Sequence, residues 1–110
     1  MLLPGLLLLL LASVSSLKLK MSAIDSHLHV WSSGVADFPY VRDAVPPAGL
    51  DGSPKFLLQQ MQNAKVNKAL IVQPINHLFD HSFVTKAMKE NPGVFKGMCL
   101  LDPTADDTYL

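Results

Sequence analysis

The sequence predicts an α/β fold in which βαβ units build a parallel sheet, and three observations carry that expectation. Strand-like and helix-like stretches alternate in the order strand, helix, strand, helix, strand over residues 21–101. Residues 69–73 (ALIVQ) are a short, continuous apolar run of the kind that a buried parallel strand shows. Capping and stop residues bracket the two helical stretches and set them between the strands.

The first strand is expected over residues 23–30 (AIDSHLHV). Residues 31–53 follow, with Pro39, Pro46, Pro47 and three glycines, and read as loop. A loop of that length inside a domain is uncommon and usually functional. Ser53 suits a helix N-cap and Pro54 its first position. Leu57, Met61 and Ala64 then recur at helical spacing, with Gln59, Gln60, Gln62 and Lys65 facing away and Asn67 as the end. Pro74 closes the second strand. Asp80 or Ser82 can cap a second helix that packs through Val84, Ala87 and Met88, and Asn91-Pro92-Gly93 stops it. The third strand is expected over residues 94–101, and residues 104–107 look like the capped start of another helix. There is no internal repeat. Three parallel strands with helices on one side leave the other face bare, so the piece is expected to belong to something larger or to associate.

Residues 1–20 stand outside this scheme. The apolar run from Leu6 to Leu11, with Val14 and Ser16 before a cleavage point, resembles a secretory signal peptide. No Lys or Arg precedes it, and Pro4-Gly5 interrupts it. A targeting leader of another kind, or an upstream extension of a chain starting at Met21, are the alternatives. The expected location is secreted or endomembrane with a signal peptide, and cytoplasmic or organellar without one. The run falls short of the about 20 apolar residues of a stable membrane span.

Nine basic and nine acidic side chains balance to a formal charge of zero. That removes any general electrostatic case for nucleic acid or an anionic membrane surface as a partner. Cys99 is the one cysteine, which rules out an intrachain disulfide and a thiolate metal cluster. It is expected mid-strand as a buried, inert thiol.

Chemistry concentrates at the first strand. Side chains alternate along a strand, so Asp25, His27 and His29 are expected on one face, with Ile24, Ser26, Leu28 and Val30 packed on helices behind. Two imidazoles about 7 Å apart along a strand are close enough to chelate one divalent cation. A bare His-x-His arises often as a structural pair. At the C-terminal end of the first strand of a βα series it points much more strongly to a metal, because barrel active sites lie at that face.

The segment Ile24-Asp25-Ser26-His27-Leu28-His29-Val30-Trp31 resembles the opening of the amidohydrolase-related family, within the wider amidohydrolase superfamily. Leu70-Ile71-Val72-Gln73-Pro74-Ile75-Asn76-His77 is similar to its second strand and following loop. The resemblance implies a (β/α)8 TIM barrel, of which residues 21–110 would supply the first two βα units and the third strand. It implies His27 and His29 as metal ligands, for zinc or alternatively manganese. It also implies a metal-dependent hydrolase of a small carbonyl compound such as a lactone or amide. Other members of that family decarboxylate aromatic acids. The remaining ligands and the catalytic acid-base come from later strands in that family, so no catalytic residue is expected within these residues.

Several further residues are candidates around that centre. Gln73 ends the second strand and, by parity with Ile71, is expected on the inward face, where it could bind a substrate carbonyl or carboxylate. His77 follows in the loop as a second substrate contact, and Trp31 in the long first loop as a third, with Phe38 and Tyr40 walling the same pocket. Asp25 is expected to steady the histidines from below rather than to catalyse. His77 and His81 share the i, i+4 spacing of a helical zinc pair, but Leu78 stands where a metalloprotease motif requires Glu. The competing reading is of another class: a truncated, catalytically dead product, either one that acts only by association with a full-length relative or an unstable by-product of truncated transcription. An oligomer is a separate expectation.

Overall fold

The structure, a computed structural model, describes residues 22–105. The leader over residues 1–20, and the residues from Asp106 onward of the expected last helix, lie outside the described residues. Strand β1 (Ala23–Leu28), helix α1 (Pro54–Ala64), strand β2 (Val66–Val72), helix α2 (Ser82–Glu90) and strand β3 (Phe95–Met98) follow in the expected order. The sheet runs β1-β2-β3, and both neighbouring pairs are parallel. Successive crossovers of one hand that step across a sheet in one direction put their helices on the same face. Accordingly Met61 of α1 and Val84 and Ala87 of α2 share one core cluster with Ala69, Ile71, Phe95 and Val30. Gly97 lies under the same layer, where an added Cβ would come 3.1 Å from the Met88 sulfur.

Helix α1 starts as its sequence dictates. Ser53 takes an extended conformation and its hydroxyl accepts the Phe56 N–H at 3.2 Å, with Pro54 next in line. The helix ends at Ala64 rather than near Asn67, because Lys65 adopts the left-handed conformation (φ 58°) and its N–H returns to Gln62 and Met61. That single residue turns the chain, and β2 begins at Val66, ahead of the expected residue 69. Helix α2 begins where the Asp80 carboxylate accepts the Ser82 N–H at 3.0 Å. It ends at Asn91, whose side chain donates to the Ala87 carbonyl.

Two strand expectations are corrected. Strand β1 does not alternate cleanly: Asp25 pairs with Ala69 and Leu28 with Ile71, three steps on one strand against two on the other. The extra residue is a bulge, fixed where the Asp25 carboxylate accepts the His27 N–H at 3.0 Å. Ile24, expected under the helices, pairs with Lys68 and is 63% exposed. Strand β3 stops at Met98, where the Gln73 N–H bonds the Met98 carbonyl and the ladder ends. Cys99, expected mid-strand and buried, is therefore exposed just past the strand.

Among the described residues, nothing packs on the face opposite the helices, as expected. Ile24 and Met98 are largely exposed on it, with Leu70 and Val72 half-covered between them. Among the described residues, no helix is long and apolar enough to cross a membrane.

Candidate functional site

The C-terminal ends of the parallel strands carry every candidate. His27 lies in the last turn of the pleat of β1 and His29 just beyond it, both exposed. Their rings meet edge to face, with centroids 5.2 Å apart. His29 Nδ1 lies 2.9 Å from the Val72 carbonyl at the end of β2. A carbonyl only accepts, so Nδ1 carries the proton, and in the neutral ring Nε2 keeps its lone pair. This is the tautomer that a metal ligand uses, with the outer hydrogen bond fixing the ring. Among the described residues the His27 ring forms no hydrogen bond, and its backbone is held by Asp25. Asp25 thus shapes the strand through the main chain. The bulge removes it from the strict alternation that would have set it in the row of the histidines.

Two imidazoles with accessible nitrogens suit a borderline divalent cation. Among the described residues, no group of three or more His, Cys, Asp or Glu comes together around one position. These two nitrogens are therefore a partial donor set, short of the three protein ligands usual at a catalytic zinc.

The long first loop is not loose. The Trp31 N–H bonds the Gly52 carbonyl at 3.0 Å, and the indole lies on Gly52 so closely that a Cβ there would fall 2.2 Å from it. The Ser32 hydroxyl donates to the Phe38 carbonyl, and the Tyr40 hydroxyl donates to the Ser32 carbonyl, both at 2.6 Å. Trp31, Phe38 and Tyr40 do wall a common recess, of about 730 Å3, together with Leu50, Phe83 and Lys86. His27 and His29 are not part of its lining. His29 instead borders a smaller hollow of about 160 Å3 with Asp51, Gly52 and Gln60. Among the described residues, the larger of these two recesses is lined by no pair of free metal-ligating groups.

The other predicted contacts have different surroundings from those expected. Ala69 and Ile71 belong to the helix-covered core, and Gln73 continues that row, buried at 4% exposure, rather than the open face. Its amide nitrogen donates to the carbonyls of Leu78 and Asp80 at 3.0 and 2.8 Å, which shapes the β2–α2 loop. Its Oε1 is buried without a partner. His77 is 3% exposed, and both its nitrogens are engaged: Nδ1–H donates to the Pro39 carbonyl and Nε2 accepts the Ser32 N–H, at 3.0 and 3.1 Å. His81 Nε2 accepts the Leu100 N–H at 3.1 Å. The i, i+4 histidine pair is therefore spent on the backbone rather than poised as a helical metal pair.

Ser32 and Asn76 have roles that the sequence alone does not signal. Ser32 is buried, and Asn76 bonds the first loop twice, accepting from Val41 N–H and donating to the Ala44 carbonyl. A further pattern is legible in the sequence. Asp-x-Ser/Thr recurs at Asp51, Asp80 and Asp102, each carboxylate accepting from the residue two ahead. Hydrogen bonds from Ser53, Ser82 and Thr104, respectively, hold these three carboxyls below the ordinary carboxylate range.

The chain matches no protein-family model and no curated protein. It does match solved structures. One is a probable 2-pyrone-4,6-dicarboxylic acid hydrolase from Acinetobacter baumannii, with citric acid bound. It is 19% identical at a TM-score of 0.63, over 78% of this chain and 31% of that one. A protein of Agrobacterium tumefaciens in its apo state matches at 19% identity and a TM-score of 0.59, over 79% of this chain and 31% of that one. The chain thus spans just under a third of the length of these structures, and at such identity the likeness is one of fold.

Proposed function

We propose that this chain supplies the opening βα units of a (β/α)8-barrel hydrolase of the amidohydrolase-related type, and that His27 and His29 are its first-strand metal ligands. The observation that carries the reading is the His29 ring, held through Nδ1–H on the Val72 carbonyl with Nε2 left free at the C-terminal end of β1. The sheet supports it: strands step in order without reversal, under helices on one face, as barrels are wound, whereas doubly wound folds reverse. The Acinetobacter structure, a probable hydrolase, lends the activity class at the level of fold.

His27 and His29 would hold zinc or manganese through their free nitrogens. When bound, such a cation would supply Lewis acidity toward a substrate carbonyl and would lower the pKa of a water. The Val72 carbonyl keeps the His29 tautomer fixed and its Nε2 basic. Trp31, two residues beyond His29 and pinned on Gly52, contacts the substrate. Gln73 and His77 serve the site by holding the loops around it. The substrate class is a small lactone, amide or similar carbonyl compound.

The test uses the protein as purified from its source, with metal content and turnover on small lactones and amides measured for wild type, His27→Ala and His29→Ala. Both quantities are expected to fall together in both variants. Unchanged metal content would remove the histidines from the ligand set.

A further inference from the structure

We propose that His77 and His81 form a pH-sensitive latch that ties together the three loops following β1, β2 and β3. Both residues stand in the middle loop, and each offers Nε2 to a backbone N–H of a different neighbour. His77 accepts from Ser32 in the first loop and His81 from Leu100 in the third. An imidazole nitrogen that accepts a hydrogen bond is the nitrogen that takes the next proton. Protonation therefore destroys the acceptor and sets N–H against N–H. The latch exists only while the rings are neutral, and histidine is the side chain whose ordinary titration falls between about pH 5 and about pH 8.

The surroundings make the loss local and consequential. His77 and Ser32 are both buried, so the Ser32 amide released by a proton finds no water in place of Nε2. Asp80, on the same loop, is the carboxylate near enough to both rings to interact with them electrostatically. From the first loop the Tyr40 ring packs 5.8 Å from His77, and from α2 the uncharged Phe83 ring packs at 5.5 Å. Lys86 of α2 turns to Glu90 and the Phe38 ring, and Asp102 of the third loop is engaged by Thr104. Releasing Ser32 frees the start of the first loop, and with it the recess walled by Trp31, Phe38 and Tyr40. The β2 core, anchored by the fully buried Ile71, is not part of the latch.

Amide exchange, followed by NMR on the full-length protein and corrected for intrinsic rates, tests this between about pH 8 and about pH 5. Protection of Ser32 and Leu100 is expected to fall about tenfold with acid while that of Ile71 holds. His77→Gln, which cannot titrate, should abolish the step at Ser32 alone, and His81→Gln the step at Leu100 alone. Should a variant not fold, the wild-type imidazole nitrogen shifts decide: Nε2 of His77 must gain its proton over the pH range in which Ser32 loses protection. The latch is overturned by pH-invariant protection at Ser32, by Ser32 and Ile71 failing together, or by a step that survives in His77→Gln.

Discussion

His27 and His29 sit two residues apart at the end of β1, and His77 and His81 sit four apart at the entrance to α2. All four residues stand at or beyond the C-terminal ends of β1 and β2, and both spacings are ones that metal sites use. In the first pair the His29 Nε2 is left free by a hydrogen bond on the other side of its ring, and the His27 ring is unbonded among the described residues. In the second pair each Nε2 already accepts a backbone N–H. The difference teaches that spacing nominates a histidine, and that what occupies Nε2 decides whether it is free to bind a metal or is part of the frame.

The sharpest way to break this comparison is to truncate one member of each pair. His77→Ala leaves the buried Ser32 amide and the Pro39 carbonyl without a partner and opens a cavity, a loss of about 3 kcal/mol. His27→Ala, at an exposed ring, should stay within about 0.5 kcal/mol. Denaturant unfolding of the full-length protein checks both, and equal costs would erase the distinction between frame and site. Gly52→Ala comes next. Its Cβ would meet the Trp31 indole at 2.2 Å, so the ring must move, at about 1–3 kcal/mol, with a changed near-ultraviolet circular dichroism signal of tryptophan. An unaltered signal would mean that Gly52 does not pin Trp31. Ser53→Ala removes the hydroxyl that caps α1 and should cost about 1 kcal/mol by the same unfolding measurement.

The smallest effect concerns acid. Asp80 is held below its ordinary value by the hydrogen bonds of Ser82, so its folded form binds a proton less readily than its unfolded form. Its contribution is fully present above about pH 4 and is lost as pH falls through the depressed folded value. Asp80→Asn should flatten the stability–pH curve below about pH 4 and leave the histidine range unchanged in shape. Because the carboxylate is exposed, the change is slight. A variant that instead moved the curve near neutrality would show that Asp80 governs the histidines more than the turn.

Much of the fold was legible because its determinants are local. Ser53-Pro54 starts a helix by itself, Asn91-Pro92-Gly93 stops one, and the apolar run through Leu70, Ile71 and Val72 needs no distant partner to be read as a strand. The order of elements and the bare sheet face followed from these. The misses lie where the deciding partner is remote or the local rule is broken. Lys65 takes a left-handed turn that usually goes to Gly or Asn, which hid the early start of β2. The bulge at Asp25 broke the alternation that had placed Ile24 under the helices.

The candidate site divides in the same way. The His-x-His motif at a strand end could be read from the sequence, since both rings and their strand are neighbours in the chain. The engagement of Gln73 and His77 could not. His77 meets Ser32 and Pro39 across about forty residues, and Gln73 turned out to follow Ile71 into the helix-covered row instead of the open face. Asp51, Asp80 and Asp102 were the opposite case, a pattern present in the sequence and left unread.

The most direct test of the division between the two pairs is a zinc titration of the full-length protein at neutral pH, followed by the nitrogen resonances of all four imidazoles. The account predicts that Nε2 of His27 and of His29 shift together and saturate together, while those of His77 and His81 stay where they are. Shifts at His77 or His81, or none at His27 and His29, would contradict it.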